Sequence, residues 1–161
     1  MGESSPREAL VIVALGCDHA GFPLKGRVAR EIEGAGHTVL DCGAFAENPD
    51  DDYPDFALAT GEAVARGKAE RGIVVCGSGV GVSVAANKVR GVRAAMCHET
   101  FSARQGVEDD SMNVLCIGAR VIGPELAAEV VRAYLRARFS GAERHARRLA
   151  KVLAIEAGRA V

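Results

Sequence analysis

Short apolar runs alternate along this chain with longer stretches in which apolar residues recur every three or four positions. The first run, ALVIVALGC from Ala9 to Cys17, predicts a strand, and Phe22 to Ala35 has helical spacing with a stop at Gly36. HTVLDCG predicts a second strand. The acidic stretch ENPDDDYPD, Glu47 to Asp55, reads as a polar loop with two prolines, and Asp55 is placed to cap a helix that runs through Ala65 and ends at Gly67. Then follow a strand over Gly72 to Cys76, a helix over 81–89, a strand over Arg93 to Cys97, a helix over 100–107, a strand over Asn113 to Ile117 and a helix from Pro124 to Arg138. Strands alternating with crossover helices predict an α/β protein whose parallel sheet is covered on both faces.

The last stretch, SGAERHARRLAKVLAIEAGRAV, predicts a basic helical tail over 140–161 hinged at Ser140 and Gly141. Arg144 and Arg148 share a face at i,i+4 spacing, where two guanidinium groups repel unless an anion or water separates them. Leu149, Val152, Leu153 and Ile155 form an apolar stripe. The tail is therefore expected to dock on another surface, carrying its arginines to an anion in a partner subunit. Residues 1–8 precede the first element and are expected to be flexible.

At 161 residues the chain suits a single domain spanning 1–161. Tryptophan is absent and aromatics make up 4%, so the core must be mostly Val, Ala, Ile and Leu. A formal net charge of -1 argues against nucleic-acid or acidic-membrane binding. The five cysteines form no CxxC pair, and no apolar run resembles a signal peptide or membrane span, so a reducing cytoplasm is the expected location.

Among these cysteines, Cys76 stands apart. GIVVCGSGVG, Gly72 to Gly81, reads as a buried strand entering a loop with glycine at every second position, and ligands in α/β proteins gather beyond the carboxyl ends of strands. Cys76 would face a nest of backbone N–H groups from Gly77, Ser78, Gly79, Val80 and Gly81. The first strand ends in GCDHAGFPLK, placing Asp18 and His19 at the same end of the sheet. GCDHAG is not the GxGxxG of a dinucleotide site, which disfavours a dehydrogenase.

The ordered blocks GCDHAGFPLK, DYPDFA, GIVVCGSGVGVSVAANKVRGVRAA, MNVLCIGARVIG and ERHARR resemble the type B ribose-5-phosphate isomerases and the related galactose-6-phosphate isomerase subunits, from about Val11 to Ile155. The resemblance implies a single Rossmann-like three-layer α/β/α domain with a mainly parallel five-stranded sheet. It also implies a homodimer, possibly paired into a tetramer, with a site shared between subunits, and aldose-ketose isomerisation of a phosphorylated sugar without metal or nucleotide cofactor. By the resemblance Cys76 is the proton acceptor, and Ser78 stands where the family often has threonine and handles a proton or an oxygen of the intermediate. Asp18, His19 and Arg120 match substrate-binding positions, and Arg144 and Arg148 match paired phosphate-binding arginines; Arg147 has no counterpart.

The residues suit that chemistry. Moving a proton between adjacent carbons through an enediolate needs a base and a cradle for the developing oxyanion. A thiol, ordinarily near pKa ~8.5, becomes a usable base where a helix N-terminus lowers that value. One block departs from the family pattern. Many relatives carry a ring-opening histidine followed by asparagine or aspartate upstream of the NVL strand, and here Asp109 and Asp110 occupy those positions in EDDSMNVL. Asp109 could act as the acid only with a pKa raised by burial or by its acidic neighbours. A terminally phosphorylated tetrose cannot close a furanose ring and needs no such acid. A tetrose phosphate, or a hexose 6-phosphate, therefore stays open as substrate beside ribose 5-phosphate, as does a phosphosugar-binding module without catalysis.

Overall fold

A computed structural model describes residues 9–161. The expectation for residues 1–8 lies outside the described residues. Five strands form one parallel sheet: β1 (Ile12–Cys17), β2 (Thr38–Asp41), β3 (Arg71–Cys76), β4 (Ala94–Met96) and β5 (Val114–Gly118), in spatial order β2-β1-β3-β5-β4. The helices are α1 (Phe22–Gly34), α2 (Tyr53–Ala65), α3 (Val80–Ala86), α4 (Thr100–Asp110), α5 (Pro124–Arg136) and α6 (Glu143–Glu156). β1, β3 and β5 are buried almost throughout, so each reads as a continuous apolar run rather than an alternation.

Successive strand side chains go to opposite layers. Val13, Leu15, Ile73, Val75, Leu115 and Ile117 meet α1, α4 and α5, whereas Val74, Cys76, Val114 and Cys116 meet α2 and α3. Three layers result, as the resemblance implies. Tyr134 of α5 is fully buried and donates to the Gly72 carbonyl at 3.2 Å, and Arg71 bonds the carbonyls of Tyr134 and Ala137, so α5 is tied to the start of β3.

Several boundaries differ from those read in the sequence. The second helix starts at Tyr53 with Asp52 at its N-cap position, which makes Asp55 a first-turn residue and not the cap. Pro54 favours this start, because proline suits the first turn of a helix, where its missing N–H costs no bond. α3 is shorter than expected, and α4 continues to Asp110, ending where Ser111 takes a left-handed conformation at φ 54. α6 packs against α4 of its own chain, yet Val152 and Ile155 remain 49% and 63% exposed.

Candidate active site

The strand order turns back between β1 and β3, and a ligand crevice is expected at such a reversal, outside the carboxyl ends of the strands. A cleft of about 380 Å3 opens there. Asp18 and His19 enter it from the end of β1, Cys76, Gly77 and Ser78 from the end of β3, and Arg120 from the turn after β5. The walls can approach because Gly21 has no side chain: a Cβ there would lie 2.1 Å from the Val75 carbonyl oxygen.

Cys76 is buried, and its Sγ accepts the backbone N–H of Gly79 at 3.1 Å. This contact depends on the left-handed conformation of Gly79, φ 81, from which α3 starts. Ser78 Oγ accepts the N–H of Val80 at 3.2 Å, which leaves the hydroxyl proton to donate. Of the five expected cradle residues, Gly77, Ser78 and Gly81 line the cleft. Gly79 and Val80 do not: their amides are committed to Cys76 and Ser78, so they shape the loop.

Asp18 is buried and braces the turn into α1, its Oδ1 accepting the Gly21 N–H at 2.9 Å. His19 is held by a residue of the polar loop Glu47 to Asp55. Asp51 Oδ1 lies 2.7 Å from His19 Nδ1 and also accepts the His19 backbone N–H at 3.0 Å. The hydrogen bond to Asp51 pushes the His19 pKa up, with Asp18 adding to the effect and Arg120 opposing it. Asp18, His19 and Asp51 bring three potential ligand atoms within 4.8 Å of one another, but the His19 nitrogen nearest the carboxylates is already bonded to Asp51, so the group is a carboxylate-imidazole pair with a loop brace. Tyr53 is the other addition. Its ring lies over Gly81, where a Cβ would come within 2.8 Å of it.

The remaining candidates lie elsewhere. α4 ends just before β5 begins, so Asp109 and Asp110 sit at the edge where the strands start, while the cleft is where they end. Asp109 accepts from Gln105 Nε2 at 2.8 Å, and Asp110 borders an outer groove with Val152 and Ile155. Arg144 and Arg148 are exposed on α6, whose approach is fixed at that same edge by the Ser140 N–H donating to the Glu108 carbonyl at 3.0 Å. Within one chain these four residues do not meet Cys76. His98 is a strand-end polar residue: its Nε2 accepts the Gly118 N–H at 2.8 Å, and burial pushes its pKa down.

A family model described as Ribose/Galactose Isomerase matches residues 13–152. The chain belongs to this family. It is 42% identical to ribose-5-phosphate isomerase B of Escherichia coli over 144 residues, covering 89% of this chain and 95% of that one. It is 41% identical to D-erythrulose-4-phosphate isomerase of Pectobacterium atrosepticum over 132 residues, 82% and 87% of the two chains. Among solved structures, type B ribose 5-phosphate isomerase of Trypanosoma cruzi superposes with a TM-score of 0.90 at 41% identity, covering 94% of this chain and all of that one. Ribose-5-phosphate isomerase B of Clostridium thermocellum gives 0.87 at 44% identity, with 91% and 98% covered. The single parallel sheet and its helical layers are thus those of the Ribose/Galactose Isomerase family. Among the described residues no helix is long and apolar enough to cross a membrane.

Proposed function

We propose that this family member is an aldose-ketose isomerase that interconverts ribose 5-phosphate and ribulose 5-phosphate, with Cys76 as the base. The observation that carries this reading is the convergence of the Cys76 thiol with His19 and Arg120 on one cleft at the strand-order reversal. Cys76, as thiolate, takes the proton from C2 of the open-chain aldose, and the electron pair left behind forms the C1–C2 double bond as the carbonyl oxygen becomes an oxyanion. N–H groups of the Gly77–Ser78 turn and the Ser78 hydroxyl stabilise that charge. The O2 proton then moves to O1, the carbonyl forms at C2, and the thiol returns its proton to C1. No metal enters the scheme.

The phosphate calls for more positive charge than one chain brings to the cleft. Arg144 and Arg148 supply it from the tail of a partner subunit, with Asp109 and Asp110 nearby, in a homodimer whose two clefts are each completed by the other chain. The exposed apolar residues of α6 support such docking. The deciding experiment is Cys76→Ala: retained affinity for a sugar phosphate with loss of isomerisation supports the scheme, and retained turnover sinks it.

A second reading rests on Asp109. With a carboxyl group where many relatives have the ring-opening histidine, a substrate that is always open-chain, such as erythrose 4-phosphate, avoids the missing step. D-erythrulose-4-phosphate isomerases stand among the relatives, which keeps this reading beside the first. Comparing kcat/KM for ribose 5-phosphate and erythrose 4-phosphate separates the two.

A further inference from the structure

Asp51 has an unusual environment for a carboxylate in a loop. Its side chain is only 9% exposed, and its Oδ2 is buried with no hydrogen-bond partner. Its Oδ1 takes two bonds from one residue, the ring and the backbone N–H of His19. Among the described residues no lysine or arginine forms an ion pair with it, so the His19 imidazole is the basic group bonded to this buried carboxyl group. A carboxylate so short of solvent and donors stabilises a positive partner strongly. The loop holds Asp51 in place by its own turn, in which the Asp51 N–H donates to the Asn48 carbonyl at 3.1 Å.

The double contact also restricts the ring. With backbone and Nδ1 tied to one oxygen, the side-chain torsion of His19 is fixed, and Nε2 is left without a partner among the described residues, on a side chain that lines the cleft. Arg120 reaches the same cleft. We propose that Asp51 is the positioning residue for His19, fixing the ring with Nε2–H toward the cleft and holding it as the second cation, beside Arg120, for an anionic oxygen of the substrate. This role rests on the isomerase reading above for the identity of the ligand, though not for the pairing itself.

Other charged and titratable groups bear on His19. Asp18 at the end of β1 reinforces the cation, Arg120 after β5 opposes it, and Cys76 and Tyr53 face it across the cleft from β3 and α2. Asp51 has to outweigh the desolvation of the ring and, less strongly, Arg120. Carboxylate-imidazole pairs of this kind fix which ring nitrogen carries the proton, because the bonded one keeps it when the ring loses the other.

The test is nitrogen NMR of the full-length protein, with the His19 signals assigned by comparison with His19→Gln, alongside inorganic phosphate binding by calorimetry. In the wild type, His19 should titrate above the ordinary imidazole value of about 6.5 and retain its Nδ1 proton when neutral. In Asp51→Asn the titration should move to lower pH. Phosphate binding should weaken about tenfold at pH 7.5 and little at pH 5.5, where the imidazole is charged anyway. KM for the sugar phosphate should rise in step while kcat changes by no more than about twofold, and Asp51→Glu should recover part of the loss. An unaltered His19 titration in Asp51→Asn, or phosphate affinity equal to wild type at pH 7.5, overturns the proposal. So does a wild-type His19 that carries its neutral proton on Nε2, a result that needs no variant to fold. A protein that turns over no sugar phosphate defeats the isomerase reading alone, since the NMR and phosphate results still judge Asp51.

Discussion

Asp109 Oδ1 at the end of α4 lies 3.4 Å from His145 Nε2 on α6, and the other ring nitrogen of that buried histidine lies 2.6 Å from Ser140 Oγ. The Asp109 carboxyl group is therefore paired with a histidine of the tail. His145 is the buried anchor of α6, whose other residues are exposed or half-buried. His145→Ala should remove both contacts and destabilise the protein by about 1–3 kcal/mol, with the tail becoming more susceptible to protease. Thermal denaturation and limited proteolysis read this out. An unchanged tail would mean that the apolar contacts of α6 with α4 suffice.

Placing a histidine at position 109 tests the substrate question. Asp109→His should raise kcat/KM for a sugar phosphate that exists mainly as a closed ring, and leave a tetrose phosphate nearly unaffected. If cyclic substrates gain nothing, the ring-opening account of Asp109 loses its basis.

Cys76 is expected to carry the proton transfer itself. Cys76→Ala should lower kcat by about 10²–10⁴-fold while phosphate-ester affinity survives, since general-base catalysis is commonly worth that much. Deuterium exchange at C2 of bound substrate gives an independent check: it should vanish with the thiol.

Two histidines should give the stability-pH profile opposite slopes. The His98 pKa is pushed down by burial, and its Nε2 serves as an acceptor, so the unfolded chain binds the proton more readily than the folded one. Its contribution is complete above the unfolded value, about 6.5, and is lost as pH falls toward the folded value. The His19 pKa is pushed up by Asp51, so its contribution is complete below the unfolded value and is lost as pH rises through the folded one. Thermal melts across pH 5 to 9 should show His98→Gln flattening the acidic limb and His19→Gln the alkaline limb.

Tyr53 and Gly81 form a third contact of the cleft. Gly81→Ala would place a methyl group 2.8 Å from the Tyr53 ring, so the ring has to swing away. KM for the sugar phosphate should rise several-fold while the melting temperature falls little, because Tyr53 is 41% exposed and its movement opens no core. A wild-type KM would show that the ring position is immaterial to binding.

The helix boundaries show how far local pattern reaches. The pattern predicts a helix over 100–107, but α4 continues through Glu108, Asp109 and Asp110, with Arg104 and Glu108 paired at 2.7 Å across one turn. Asp55 was expected to cap α2, yet Pro54 and the extended Asp52 move the start back to Tyr53. Asp51 could not be singled out within Asp50, Asp51 and Asp52, since three adjacent carboxylates look alike until the loop folds over β1 and buries one of them against His19.

By itself the sequence determined the alternation of strands and helices, the parallel sheet and the placing of Asp18, His19 and Cys76 at strand ends. These follow from residue spacing and from the direction each strand must run. The tertiary structure sets β1 beside β3 at the reversal, and only it decided that Asp51 and Tyr53 join Asp18, His19, Cys76 and Arg120 there. It also decided that Asp109, Asp110, Arg144 and Arg148 gather at the opposite edge. A crossover helix returns the chain to the starting edge of the sheet before the next strand, and the residues at its end are carried a full strand length from the chemistry of the loops.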